Sequence, residues 1–214
     1  MLKKNKGYII ITTLIVLLPM LVGVILWDRL PEQMATHFNV QGEADGWSSK
    51  TFAVFGLPLF LAAIHGIGVA ATCMDPRKQN IQNKIFRMVL WITPGISLFV
   101  MGITYLYGLG FDVNITRMSL ILMAVVFIVV GNYLPKCRQN YTVGIKVPWT
   151  LADAENWNQT HRFAGWLWTI AGIVFLLMAL MGFVNFTVMM GMILTAALVP
   201  VGYSYVFYVK CKKE

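Results

Sequence analysis

Asn140, Lys146, Trp149, Thr150, Trp157, Thr160, His161 and Arg162 crowd into one short polar stretch of an otherwise apolar chain. Cations, a carboxamide, an imidazole and two indoles in such a stretch can dock a partner or hold a small ligand, with the indoles as anchors. As acid–base chemistry the set is thin. Asp153 lies two helical turns from His161, no Ser or Cys nucleophile stands beside it, and no H-E-x-x-H, G-x-S-x-G or phosphate-loop pattern occurs. Binding is therefore favoured over catalysis, and nothing in the motif asks for a cofactor. The same residues also suit a structural cap. Trp149, Trp157, Trp166 and Trp168 would then form an interfacial belt, with Lys146 and Arg162 meeting lipid headgroups.

His37, Asn39, Glu43, Asp45 and Trp47 form a second cluster. Its imidazole and oxygen donors can ligate a divalent ion, but the spacing is neither that of an EF-hand nor that of a zinc site. Two other readings stand beside the metal. In one, the segment is a turn-rich loop in which Gly42 and Gly46 supply backbone freedom, Asp45 caps a turn and Trp47 sits at the interface. In the other, His37, Asn39 and Asp45 make polar contacts to a partner around the Trp47 anchor. His65 stands alone near the middle of an apolar run, where it serves either a proton relay or a single structural hydrogen bond beside a tight helix contact at Gly66 and Gly68. The lack of intramembrane Asp, Glu, Lys or Arg favours the structural role.

The elements that position these groups follow from composition. The chain is 58% hydrophobic and 12% charged, half the charge fraction typical of soluble domains, which is about 25%. Six runs, near 8–27, 52–74, 88–107, 118–134, 163–184 and 186–208, are long enough to cross a bilayer as helices. The expected fold is an all-α six-helix membrane bundle with an ordered motif between the fourth and fifth spans. Its expected parts are a two-helix unit, 1–87, carrying an extracytoplasmic loop at 28–51, and a four-helix unit, 88–214. The first run follows Lys3, Lys4 and Lys6 but lacks an A-x-A-like cleavage site, so it reads as an anchor.

Charge orients the bundle. With both termini cytoplasmic, fourteen of the seventeen Lys and Arg fall inside, and only Arg29, Lys50 and Arg117 fall outside. The net charge of +8 is dispersed over several segments. Membrane lipids are sufficient partners for it, and direct nucleic-acid binding is not expected. Cys73, Cys137 and Cys211 lie near the cytoplasmic face, too far apart for a metal set. Gly165, Gly172 and Ala179 recur every seven residues and make a smooth stripe for close helix approach. Thr150 to Asp153 reads as a capping box that opens a helix running unbroken into the membrane.

The polar stretch resembles the SdpI family of bacterial membrane immunity and signalling proteins. That family's pattern runs N-x3-G-I-[RK]-x-P-W-T-L, then W-x2-T-H-R and a small residue. Asn140, Gly144, Ile145, Lys146, Pro148, Trp149, Thr150, Leu151, Trp157, Thr160, His161, Arg162 and Gly165 supply it. Leu30, Pro31, His37, Asn39, Gly42, Asp45, Gly46 and Lys50 resemble the domain of unknown function that often precedes the SdpI core. Many relatives carry Arg where Lys146 stands, so a planar fork is replaced by a point charge. The resemblance implies a bacterial plasma-membrane protein that protects its producing cell against a secreted toxic peptide. It also implies that the toxin-engaged protein holds an ArsR-type repressor at the membrane. A small-solute or ion transporter and a membrane-embedded enzyme using the cytoplasmic cluster are the competing classes.

Overall fold

The computed structural model describes residues 1–211. Six helices are long and apolar enough to span a membrane, as expected. They are α1 (Leu2–Ile25), α2 (Leu57–Met74, entered through a π-helical turn at Phe52–Gly56), α3 (Asn83–Gly108), α4 (Ile115–Tyr133), α6 (Ala154–Met181) and α7 (Phe186–Cys211). A short α5 (Pro148–Ala152) precedes α6, and a hairpin of β1 (Gln33–Phe38) and β2 (Ala44–Ser49) follows α1. The chain divides into two compact units: residues 1–73 with 87–119, and residues 74–86 with 120–214. This differs from the expected boundary after residue 87. Most of α3 belongs with α1 and α2, while the linker before it belongs with the carboxy-terminal helices.

In the first unit, polar side chains of neighbouring helices reach backbone carbonyls of α1. Pro19 interrupts the hydrogen-bond ladder of α1. The Tyr105 hydroxyl donates to the Pro19 carbonyl at 2.8 Å, and the Ser97 hydroxyl donates to Val16 at 2.9 Å. α3 thus ties itself to α1 by two hydroxyls that reach carbonyls in the turn around Pro19. His65 is buried and its Nε2 lies 3.2 Å from the Thr12 hydroxyl oxygen. The Thr12 hydrogen is directed to the Tyr8 carbonyl at 2.8 Å, so His65 donates to Thr12, and one structural bond results. The expected tight contact at Gly66 and Gly68 is not there: a Cβ at either would meet open space. The close approach lies instead at Gly23, where a Cβ would fall 2.6 Å from both Tyr105 and Val54.

The hairpin was expected as a turn-rich loop. Met34 enters the core beside Leu30, Val54, Met101 and Tyr105, and Ala35 is buried next to it, while Gln33 and His37 are exposed; register shifts on both sides of His37 interrupt the strand's alternation. The Asn39 side chain organises the turn by accepting from Gln41 N at 3.0 Å and Glu43 N at 2.9 Å, and Gly42 takes the left-handed conformation at φ 84°. Asp45 does not cap that turn. Lys50 is buried at the hairpin base, where its amine donates to the Trp27 carbonyl at 3.1 Å and pairs with Glu32 at 2.8 Å.

In the second unit, the small-residue stripe of α6 packs on α4. A Cβ on Gly172 would lie 2.8 Å from Ile128 N and 2.9 Å from the Ala124 carbonyl; one on Gly165 would lie 2.5 Å from Pro135 Cγ. The backbones touch because no side chain separates them. Phe127 stacks on Trp168 at 4.8 Å, and the Trp168 indole donates to the Ala196 carbonyl of α7 at 2.9 Å. Gly182 closes α6 at φ 69°, and Asn185 Oδ1 accepts from Val188 N at 3.1 Å to open α7.

Candidate functional site

The chain between α4 and α6 folds into a polar cap built around Asn140. Its Oδ1 accepts from Thr142 N at 2.8 Å and Val143 N at 2.7 Å, and its Nδ2 donates to the Arg138 and Val143 carbonyls. One carboxamide therefore satisfies a whole turn. Gly144 follows at φ 127°, over the rings of Trp157 and His161; a Cβ there would overlap His161 Nε2. The two rings stack with centroids 4.0 Å apart. The Trp157 indole donates to the Cys137 carbonyl at 2.7 Å. His161 Nδ1–H donates to the Trp157 carbonyl at 2.7 Å, and its Nε2 accepts from Ile145 N–H at 2.8 Å. An amide donor at Nε2 requires the neutral Nδ1-protonated tautomer and leaves neither nitrogen free for proton transfer.

The helix entry differs from the expected capping box. Thr150 lies inside α5, where its hydroxyl oxygen accepts from Val147 N at 3.2 Å and its hydrogen goes to the Ile145 carbonyl at 2.8 Å. Asp153 is extended (φ −127°, ψ 121°) and caps α6 by accepting from Glu155 N at 2.9 Å. The helix is therefore broken at Asp153, because Asp competes well for an N-cap position of its own. Beyond that point α6 is continuous through His161 and Trp168 to Met181. On it Asn156 bridges to α7, donating to the Ser204 carbonyl at 2.9 Å and accepting from the Thr160 hydroxyl at 3.0 Å.

These contacts revise the roles of the motif residues. Asn140, Thr150, Trp157, Thr160 and His161 are buried, with their polar atoms engaged inside the chain, so they do not form an accessible docking surface. Their hydrogen bonds hold the cap together from within. Trp149 stands apart from them, donating to the Ser204 hydroxyl at 2.8 Å and packing on Tyr205 and Tyr208 of α7. Only Lys146 and Arg162 of this set are exposed. Lys146 makes one bond, from its amine to the Thr142 carbonyl at 3.0 Å, which an ammonium makes as well as a guanidinium.

Sequence reasoning missed Asp75. Its buried carboxylate accepts from Arg77 N at 2.7 Å, Tyr141 N at 2.9 Å and the Thr142 hydroxyl at 2.6 Å. Asn80 Nδ2 donates to the Gln139 carbonyl at 2.8 Å, and Arg77 lies over the Tyr141 ring. The linker before α3 is thereby part of the cap. The available signal was a lone acidic residue, followed by Pro76, in a basic linker. Cys137 is also buried in the cap, and burial pushes its thiol up to about 12, which keeps it a protonated filler rather than a nucleophile.

In the hairpin, His37 Nδ1 pairs with Asp45 Oδ1 across the strands, and both side chains are exposed. Trp47, 55% exposed, lies on the same outward face over Ala35. Asn39 is spent on the turn. Among the described residues no group of three or more His, Cys, Asp or Glu converges as a metal set.

Six apolar spans, a folded polar cap and a short exposed hairpin define a multi-pass membrane protein. Residues 136–204, covering the cap motif and most of the last two spans, match the SdpI/YfhL protein family, and residues 14–62, covering the hairpin, match a domain of unknown function, DUF1648. The chain is 26% identical over 211 residues, 98% of each chain, to "Immunity protein SdpI" of Bacillus subtilis (strain 168). No solved structure matches it.

Proposed function

We propose that this chain is an integral membrane immunity protein that protects its producing cell against a secreted toxic peptide. The observation that carries this reading is the end-to-end similarity to an immunity protein, which includes both the cap and the hairpin. The role is non-catalytic: His161 has both nitrogens committed and Cys137 is a buried thiol. The outward face of the hairpin, with Trp47 as anchor and the His37–Asp45 pair beside it, is the surface offered to the toxin. Deleting the gene should make producing cells sensitive to their own spent medium, and the wild-type chain should restore growth. The Trp47→Ala, His37→Ala, Asp45→Ala variant should reach the membrane normally and restore little. Cells that stay resistant after deletion would remove the immunity role; full rescue by the triple variant would move recognition away from the hairpin.

The fourteen-to-three distribution of basic residues supports cytoplasmic termini and an extracytoplasmic hairpin. In a background without the native cysteines, an impermeant maleimide added to intact cells should label Val40→Cys and miss Lys146→Cys; both positions are exposed. The same measurement bears on the proposed second role, holding an ArsR-type repressor through the exposed Tyr141 and Lys146 side of the cap. A repressor is cytoplasmic, so labelling of Lys146→Cys from outside would exclude that contact and reverse the orientation.

A further inference from the structure

Beside the close contact of α4 and α6 lies an open groove of about 630 Å³, lined among others by Asn132, Lys136, Asn158, Arg162 and Trp166. It exists because Gly131 and Gly165 let the backbones meet without side chains to fill the flank. Its chemistry is two-faced. At the rim stand two cations and two carboxamides. Among the described residues the close cation–carboxylate pairs are His37–Asp45 and Lys50–Glu32, and no described acidic residue pairs with either rim cation. The Lys136 amine donates to Asn132 Oδ1 at 3.1 Å and lies 5.1 Å over the Tyr133 ring, which holds it at the groove with donor capacity left for an anion. Along the helices from the rim, Trp166 is 67% exposed, and Val129 and Ile170 are exposed as well, so this side of α4 and α6 suits hydrocarbon.

Two exposed cations with no acidic partner among the described residues, next to an exposed indole and an apolar wall, suit a ligand with an anionic head and an acyl tail. We propose that this groove binds the phosphate of an anionic glycerophospholipid between Lys136 and Arg162, with an acyl chain lying along Trp166. A free phosphate shares the head chemistry but has no use for the apolar wall. The site is independent of the immunity reading, since it rests on the α4–α6 packing alone.

The test is native mass spectrometry of the full chain released from neutral detergent and titrated with short-chain phosphatidylglycerol, phosphatidylcholine or inorganic phosphate. Saturable binding of one phosphatidylglycerol is expected, in preference to phosphatidylcholine and not displaced by inorganic phosphate. A charge-assisted hydrogen bond to the phosphate contributes about ten-fold or more in affinity, so Lys136→Gln with Arg162→Gln should weaken it by roughly 100-fold. Arg138→Gln, exposed but outside the groove, should leave it unchanged. Asn158→Glu, which adds a negative charge on the exposed wall without touching the core, gives an independent second variant and should also weaken it. Equal binding of phosphatidylcholine, displacement by inorganic phosphate, or unchanged affinity in both groove variants would each overturn the proposal.

Discussion

Gly165→Ala and Gly172→Ala should each destabilise the carboxy-terminal helices strongly, while Gly202→Ala should not. At Gly172 the added methyl would lie 2.8 Å from Ile128 N and 2.9 Å from the Ala124 carbonyl; at Gly165 it would meet Pro135 and the Gly131 carbonyl, also at 2.8 Å. These are backbone or ring atoms, which cannot rotate away, so the helices must separate. Overpacking of this kind costs about 1–3 kcal/mol per site. The two sites are about 10 Å apart along the helix, far enough for the costs to be close to additive. Separation would also weaken the Phe127–Trp168 stack across the same interface. At Gly202 a methyl meets nothing, and Ala is the better helix former by about 1 kcal/mol. Equilibrium unfolding in mixed detergent would show the order. Equal stability of Gly172→Ala and Gly202→Ala would refute the direct backbone contact of α4 and α6.

The second large effect concerns Asp75. Removing its carboxylate in Asp75→Ala deletes the acceptor on which two backbone N–H groups and the Thr142 hydroxyl now converge. Hydrogen bonds to a charged group contribute about 1.5–3 kcal/mol each, so the cap should lose roughly 3 kcal/mol or more. The loss is local, and Cys137 reports it. In a Cys73→Ser, Cys211→Ser background the buried thiol should alkylate slowly. Opening the cap would expose it and let its pKa fall from about 12 towards the ordinary thiol range. A 3 kcal/mol loss corresponds to an increase on the order of 100-fold in alkylation rate when opening is in fast equilibrium. Asp75→Asn should fall between, since it keeps one acceptor oxygen but turns an NH2 group toward a donor. An unchanged Cys137 rate in Asp75→Ala would mean that the linker before α3 does not hold the cap.

These two cases mark what the primary sequence determined and what only the tertiary structure decided. The six spans and the α6 stripe were legible because each depends on a local rule. Span length follows from apolar run length, and a seven-residue repeat of small side chains stays on one face of any α-helix. The motif was also visible, because rigid and polar residues stand out in an apolar chain. Its meaning was not. Whether Asn140 and His161 face a partner or their own backbone depends on where residues 137–147 fold back, and no local rule decides that. Asp75 meets Tyr141 and Thr142 across more than sixty residues of chain, a pairing that requires loop closure and leaves no periodic trace. The break at Asp153 came from two adjacent cap signals, of which sequence reading chose the first and burial of Thr150 selected the second. The hairpin was hidden because its alternation is short and interrupted by register shifts around His37. Six membrane helices were therefore determined by hydrophobicity alone. Which motif residues stay exposed was decided by the hydrogen bonds that the folded cap makes to itself.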